Sequence, residues 1–216
     1  MKIILGTANV KKNYGLNSNN LNLREFGKVK SYLKKNNFFL EVAEDYKNIK
    51  YTTNNNLKLF YKINFYNNKN NIIKIDKLVK NKNIFCLMIH NVKSVKLKEF
   101  RILYDYISFL KSKKIIKNFG ISIYDLGDLE IIKKYNFDFI QLPLNIFNQT
   151  FNNLNTLRIR KKGTKFIARS VLFQGTILNL GYLKLKSKIL NKKIQIIKKE
   201  SSEKKIEILK LHLNFI

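Results

Sequence analysis

The sequence predicts an α/β fold, a (β/α)8 or TIM barrel that is incomplete because its last βα unit is missing. Seven short apolar segments have the character of strands, and predicted helices separate most of them. The stretch 118–149 holds a strand, a helix and a strand in so few residues that it closes as a right-handed parallel crossover. Polar side chains lie at the predicted strand ends, where barrel proteins carry their chemistry. The alternative is a doubly wound open sheet, but no glycine-rich turn of the dinucleotide-binding spacing follows the first strand.

The first half of the chain has the patterns of four strands and three helices. The strand segments are short and apolar, and the fourth, IFCLMIH, is apolar on both faces, as a buried parallel strand should be. The helix segments have apolar residues at three- and four-residue spacing. We therefore expect strands at 3–7, 38–43, 57–65 and 83–90, and helices at 24–36, 76–80 and 95–113.

The crossover unit supplies the fifth and sixth strands. β-Branched residues favour a strand at 119–123, and Asp125 can cap the helix that follows it. The sixth strand, 137–142, is expected to end where Pro143 removes a backbone donor.

The end of the chain is less clearly patterned. A seventh strand is expected at 165–173, followed by a lysine-rich loop with one short helix over 175–200. A closing helix is expected at 201–215, where Ser202 can serve as the cap. The residues of this helix expected to face inward are Ile206, Leu209 and Leu213.

Length and composition indicate a single domain over residues 1–216. The chain is 45% hydrophobic, which suits one large core. It has no apolar run of about 18 residues to span a membrane, and the apolar patch at its start is too short for a secretion signal. The single cysteine, Cys86, excludes an intramolecular disulfide. We therefore expect a cytoplasmic protein with no membrane partner.

The formal net charge of +29 is a reason to consider nucleic-acid binding. However, the lysines are spread over every predicted helix and loop, arginine occurs only five times, and no recognition motif or zinc spacing is present. Asn, Ile and Phe are enriched together with Lys, as an A+T-rich coding sequence would produce. We therefore expect no specific nucleic-acid partner, and only weak, salt-sensitive adhesion to polyanions.

Motifs near the predicted strand ends follow one another in a recognisable order. They are LGTAN with YGL, LEVAEDY, the lysine of YKI, the histidine of LMIH, GISIYDLGDL, FDFIQLPLNIFNQ and ARSVLFQG. Together they resemble the aldo-keto reductase family, its bacterial members most of all. The resemblance implies an NADP(H)-dependent oxidoreductase that reduces the carbonyl of a small aldehyde or ketone to an alcohol.

The resemblance also implies a role for each site residue. Tyr46 matches the general acid that protonates the carbonyl oxygen, and Lys62 matches the cation that stabilises its ionised form. His90 matches the residue that orients the carbonyl, and Glu41 stands where the family has an aspartate beside the lysine. The residues that the resemblance assigns to cofactor binding are Ser122, Gln141, Arg169 and Ser170.

Two features differ from the family pattern. Glu41 is one methylene longer than an aspartate, and a displacement of about 1 Å can lower a rate on the order of a hundredfold. No counterpart of the family's eighth strand and phosphate-binding loop follows the closing helix. One alternative is therefore a catalytically inactive, truncated remnant that acts as a binding or structural protein, and another is a basic protein that binds polyanions.

Other polar or reactive residues have simpler interpretations. Cys86 is expected to pack within a buried strand, and His212 to have a structural role on the last helix. Glu44 and Asp45 are adjacent and point apart, so we expect both to be solvated. No spacing typical of metal ligands is present.

Overall fold

The structure, a computed structural model, is built on one parallel sheet of seven strands in sequence order. It describes residues 3–10, 22–46, 57–65, 71–80, 83–94, 97–152, 163–179 and 188–216. The strands are β1 (Ile4–Gly6), β2 (Phe39–Ala43), β3 (Leu59–Ile63), β4 (Ile84–Ile89), β5 (Asn118–Ser122), β6 (Phe139–Pro143) and β7 (Lys165–Arg169). Each strand pairs in parallel with the next strand along the chain.

The sheet curls so that distant strands meet on its inner face. The side chain of Gln141 on β6 contacts both Glu41 on β2 and Lys62 on β3. Below them, the ring of Phe60 lies 5.2 Å from that of Phe39 and 5.1 Å from that of Phe139, between ring centroids. A doubly wound sheet would reverse its strand order, so the sequential order and the curl confirm the predicted incomplete (β/α)8 barrel.

The α-helices of the described residues are α1 (Leu23–Lys35), α2 (Asn71–Lys80), α3 (Leu97–Ser112), α4 (Leu129–Lys134), α5 (Lys188–Glu203) and α6 (Ile208–Phe215). The first four pack on the outer face of the sheet, whereas α5 and α6 pack in a separate cluster. α1 begins at a capping box in which Asn22 and Glu25 bond each other's backbone N–H groups. Its Phe26 and Leu33 are buried in the large core between helices and sheet, which also holds Phe100 of α3. No helix in the described part of the chain has both the length and the apolar character needed to span a bilayer.

The lower interior of the barrel is a small apolar cluster. Phe39, Phe60, Cys86 and Met88 are buried there together. Burial raises the pKa of the Cys86 thiol well above its usual value, so the thiol stays protonated and Cys86 packs as predicted. Gly120 on β5 leaves room for this packing, because a Cβ atom there would lie only 2.9 Å from the carbonyl oxygen of Phe139.

Several predicted boundaries need correction. The short helix expected at 76–80 is the end of α2, which begins five residues earlier, at Asn71. β6 includes Pro143 as its last residue, since its neighbour Arg169 still pairs with it in register. Asp125 caps a 3-10 turn, Leu126–Asp128, that precedes α4.

The seventh strand is shorter than predicted. It ends at Arg169 because Ser170 has a φ of 55° and Phe173 one of 46°, and a strand cannot continue through left-handed backbone. A 3-10 segment, Phe173–Asn179, follows instead. The YGL motif at 14–16 and the loop predicted at 47–56 lie outside the described residues.

The prediction for residues 175–215 is wrong in its helix boundaries. Residues 188–203 form the long helix α5, whose Ile194 and Ile197 pack into a second cluster with Phe147 and Ile177. Ser202 lies inside α5 and caps nothing, because the chain turns at Lys205, where φ is 50°. On the following helix α6, Leu213 is 38% exposed whereas His212 is fully buried.

Candidate active site

A buried ion pair lies at the carboxyl ends of β2 and β3. The Lys62 Nζ is 2.7 Å from the Glu41 Oε1, and the two side chains are 3% and 11% exposed. Burial acts to raise the pKa of Glu41, but the Lys62 charge and hydrogen bonds from Lys62 and Gln141 outweigh it, so this pKa is lowered. Glu41 therefore faces the barrel interior, with Lys62 as its partner.

The amide of Gln141 and the hydroxyl of Ser122 complete this buried network. The Gln141 Oε1 accepts hydrogen bonds from the Lys62 Nζ, at 3.3 Å, and from the Ser122 hydroxyl, at 3.2 Å. The Gln141 Nε2 donates to the Glu41 carboxylate. Gln141 on β6 therefore bonds residues of three other strands, β2, β3 and β5, and each of its polar atoms is satisfied.

Tyr46 lies above the ion pair, in the turn that follows β2. Its backbone N–H donates to the Ala43 carbonyl at 3.0 Å, which turns the chain back over the end of the strand. The Tyr46 hydroxyl accepts a hydrogen bond from the Lys62 Nζ at 3.4 Å. A cation at this distance stabilises a phenolate and so favours transfer of the phenol proton.

His90 comes directly after β4 and borders the same space. Its ring centroid is 6.1 Å from that of Tyr46, in an edge-on arrangement. Burial, followed by the nearby Lys62 charge, lowers the pKa of His90 to about 4, although Asp45 and Glu41 act in the opposite direction. His90 is therefore neutral at physiological pH.

Asp45 is a site residue that the sequence did not reveal. Its Oδ2 lies 3.2 Å from the Nδ1 of His90, and it also accepts a hydrogen bond from the Asn64 amide. Its neighbour Glu44 forms an ion pair of 2.6 Å with Lys74. The expectation that both carboxylates are simply solvated is therefore wrong, because Asp45 lies in the turn after the strand and not on the strand itself.

Arg169 and Ser170 lie at the end of β7, on the same rim. The guanidinium of Arg169 is 4.1 Å from the ring centroid of Tyr124, which follows β5. The ring of Tyr124 is in turn 6.5 Å from that of His90. Tyr124 thus joins Arg169 to the rest of the site, and the sequence held no signal for this contact.

All the predicted site residues therefore lie at the carboxyl-end rim of one barrel. Glu41, Lys62, Tyr46, Gln141 and Ser122 are connected by hydrogen bonds, while ring contacts link His90 to Tyr46 and, through Tyr124, to Arg169. The described residues include no cluster of side chains suited to a metal ion. The class of protein that this arrangement defines is an α/β barrel with a polar site at the ends of its strands.

Comparison with known proteins identifies the barrel more closely. No family model and no curated protein sequence matches the chain. Among solved structures, a glycerol dehydrogenase from Gluconobacter oxydans is similar, with a TM-score of 0.66 and 14% identity over 95% of this chain and 76% of that one. An aldo-keto reductase from Klebsiella pneumoniae in complex with NADPH has a TM-score of 0.64 and 13% identity, over 97% and 75% of the two chains.

A third similar structure is a thermostable aldo-keto reductase in complex with the inhibitor epalrestat. Its TM-score is 0.63 and its identity 17%, over 97% of this chain and 78% of that one. Likeness at such low identity establishes the fold. The chain therefore has the aldo-keto reductase fold, which confirms the resemblance at the level of architecture.

Proposed function

We propose that this chain is an oxidoreductase of the aldo-keto reductase type, which uses NADP(H) to reduce the carbonyl of an aldehyde or ketone to an alcohol. The observation that carries the proposal is the Tyr46 hydroxyl, held 3.4 Å from a buried Lys62 that is itself paired with Glu41. In a barrel of this fold, a phenol beside an ammonium group at the strand ends is an arrangement suited to general acid catalysis.

Each residue of the site has a different role in the proposed proton transfer. Tyr46 donates its proton to the carbonyl oxygen as negative charge develops there, and the Lys62 ammonium stabilises the phenolate that remains. Glu41 holds Lys62 in place and balances its charge within the barrel. Neutral His90 orients the carbonyl, because an uncharged imidazole has one donor and one acceptor nitrogen.

The donor groups of the site suit a nicotinamide cofactor, which supplies the hydride when it is bound. Ser122 and Gln141, which bond each other at 3.2 Å at the inner wall of the barrel, are the residues that the resemblance assigns to the carboxamide of such a group. Arg169 and Ser170 are the further cofactor-binding residues that the resemblance implies. Similar structures were determined with NADPH and with NADP, which supports this choice of cofactor.

The assigned acid is tested by following NADPH absorbance with an aromatic aldehyde as substrate. We expect Tyr46→Phe to lower the rate by about 100-fold to 10,000-fold, because the phenol proton is lost while the ring remains. Tyr32→Phe is the matched control, since Tyr32 lies on α1 with 60% of its surface exposed. Equal rates in Tyr46→Phe and the parent protein would remove Tyr46 from its proposed role.

Direct titration with NADPH separates this proposal from that of a catalytically inactive remnant. The remnant is worth testing because no strand among the described residues pairs with the outer edge of β1 or β7. Saturable binding, followed by NADPH fluorescence, is the result we expect. Absence of binding at millimolar cofactor would favour a scaffold that serves as a binding or structural protein.

A further inference from the structure

Asn64, the residue that follows β3, bonds both acidic residues of the turn after β2. Its side chain is buried, and its amide Nδ2 donates a hydrogen bond to the Asp45 carboxylate. Its backbone N–H donates to the Glu44 Oε2 at 3.3 Å. Tyr46 comes directly after these two acids, so Asn64 holds the segment that carries the proposed general acid.

The same segment is also tied to α2 and to β3. The Lys74 Nζ of α2 lies 2.6 Å from the Glu44 Oε2 and donates to the Asn64 carbonyl at 2.9 Å. The Glu44 backbone N–H donates to the Lys62 carbonyl at 3.0 Å. These contacts use backbone groups or an ion pair that is about one-third exposed, whereas the bond from Asn64 to Asp45 joins two side chains. A substitution at Asn64 can therefore remove this one bond and leave the others in place.

Asp45 connects this turn to His90. Its Oδ2 lies 3.2 Å from the Nδ1 of His90, and the His90 backbone N–H donates to the Ile63 carbonyl at 2.8 Å. Among the described residues, the charged groups that act on the imidazole are Lys62 on β3, Asp45 in the turn after β2, and Glu41 on β2. Because Asp45 is in direct contact with the ring, a displaced carboxylate changes both the position and the electrostatic surroundings of His90.

We propose that Asn64 is a positioning residue of the site: it holds the Asp45 carboxylate, which in turn fixes the imidazole of His90. The same bond fixes the chain segment that ends in Tyr46. The inference rests on the proposed reductase function and adds to it a residue that acts through other residues. A displacement of about 1 Å can lower a rate on the order of a hundredfold, so the loss of this bond should be visible in turnover.

The first test is Asn64→Leu, which removes the amide donor at nearly the same side-chain volume. We expect kcat with an aromatic aldehyde to fall on the order of 10-fold to 100-fold. The Kd for NADPH should change by less than about 3-fold, because the residues assigned to the cofactor lie at the ends of β5, β6 and β7.

Asn118→Leu is the matched control for this substitution. The Asn118 Nδ2 also donates a hydrogen bond, to the Phe85 carbonyl at 2.7 Å, but at the amino end of β5, opposite the rim. We expect this variant to lose stability and to keep the kcat of the parent protein. A kcat in Asn64→Leu equal to that of the parent would overturn the proposal.

A reversed pair tests the position of the turn with a second set of variants. Asn64→Asp sets two carboxylates against each other and should lower kcat at least as much as Asn64→Leu. The double variant Asp45→Asn/Asn64→Asp again places one amide opposite one carboxylate at the same side-chain lengths. We expect it to recover kcat on the order of 10-fold relative to Asn64→Asp. A double variant no more active than Asn64→Asp would contradict the positioning role.

A final test needs neither cofactor nor turnover, because the chain has only two histidines, His90 and His212. Their Cε1–H signals are followed by NMR at pH 7, and the signal of His90 is identified by its loss in His90→Asn. We expect Asn64→Leu to shift the His90 signal and to leave that of His212, which contacts the Val171 carbonyl, in place. An unshifted His90 signal would overturn the proposal. If the signal shifts but the parent protein reduces no aldehyde, the reductase proposal fails while the link from Asn64 to His90 stands.

Discussion

The two layers of the barrel interior differ in chemistry although the same strands build them. On three strands an inward-facing aromatic residue is followed, two positions later and so on the same face, by a polar one. These pairs are Phe39 and Glu41 on β2, Phe60 and Lys62 on β3, and Phe139 and Gln141 on β6. The three aromatic residues form a lower layer of apolar packing. The three polar residues, two positions closer to the carboxyl ends of the strands, form an upper layer that belongs to the candidate site.

The two layers are stabilised in different ways. The aromatic rings of the lower layer need only fill volume, and they contact one another edge to face at about 5 Å between centroids. In the upper layer, the buried polar side chains of Lys62, Glu41, Gln141 and Ser122 are hydrogen-bonded to one another. Substitutions in the lower layer should therefore reduce stability gradually, whereas the loss of any one residue of the upper layer should destabilise the protein strongly.

Removal of Lys62 should break the polar layer most severely. Lys62→Met leaves the Glu41 carboxylate buried without its cation, and we expect the free energy of unfolding to fall by about 3–5 kcal/mol. Chemical denaturation measures this change. Lys133→Met is the control, because Lys133 forms an exposed pair with Glu130, and a loss of less than about 1 kcal/mol is expected there. Similar losses in the two variants would contradict the comparison of layers.

His90 should make the polar layer sensitive to acid. Burial holds its folded-state pKa at about 4, so the unfolded chain binds a proton between about pH 6.5 and 4 that the folded protein does not. Stability should therefore fall by about 3 kcal/mol in all as the pH decreases through this window. Above about pH 6.5, protonation of His90 should not affect stability.

His90→Asn should flatten this pH dependence of stability, measured by denaturation at a series of pH values. His212, whose pKa is also lowered by burial, remains in both proteins, so the difference between them isolates His90. Glu41, whose pKa is lowered from 4.5, is likewise present in both proteins. An unchanged slope in His90→Asn would show that His90 does not resist protonation.

A methyl group at Gly120 should disturb the aromatic layer and spare the polar one. The added Cβ would lie 3.1 Å from the Met88 Cγ and 3.2 Å from the Cys86 Sγ, as well as close to the backbone of β6. We expect Gly120→Ala to lower the melting temperature through a loss of about 2 kcal/mol. Gly27→Ala in α1 meets no atom within 4 Å and should stabilise the protein slightly.

The strands and the polar rim could be predicted from the sequence because both depend on local pattern. Short apolar runs identify parallel strands, and the topology of such a sheet brings their carboxyl ends to one side, so Lys62 and His90 could be placed together without coordinates. The contact of Asp45 with His90 could not, because it depends on the turn after β2. The stacking of Arg169 on Tyr124 joins side chains 45 residues apart, and no local rule encodes it.

Composition concealed the helices near the end of the chain. Lysines surround Leu190, Ile194 and Ile197, so a lysine-rich loop was the simpler interpretation of a segment that in fact has an apolar stripe. Conversely, the predicted closing helix ran through Lys205, whose left-handed backbone separates α5 from α6. Such a turn is hard to predict from the sequence, because the segment around Lys205 contains no glycine or proline to indicate it.

The sequential strand order has a consequence for how the protein folds. Each strand pairs with its neighbour in sequence, so the sheet can grow one strand at a time, whereas the bond between Gln141 and Glu41 spans 100 residues. This closure is expected to form late, after the transition state. Gln141→Leu, which removes this closure, should then accelerate unfolding while leaving the refolding rate nearly unchanged, as stopped-flow kinetics can show. Formation of the polar rim and completion of the native state would be a single event.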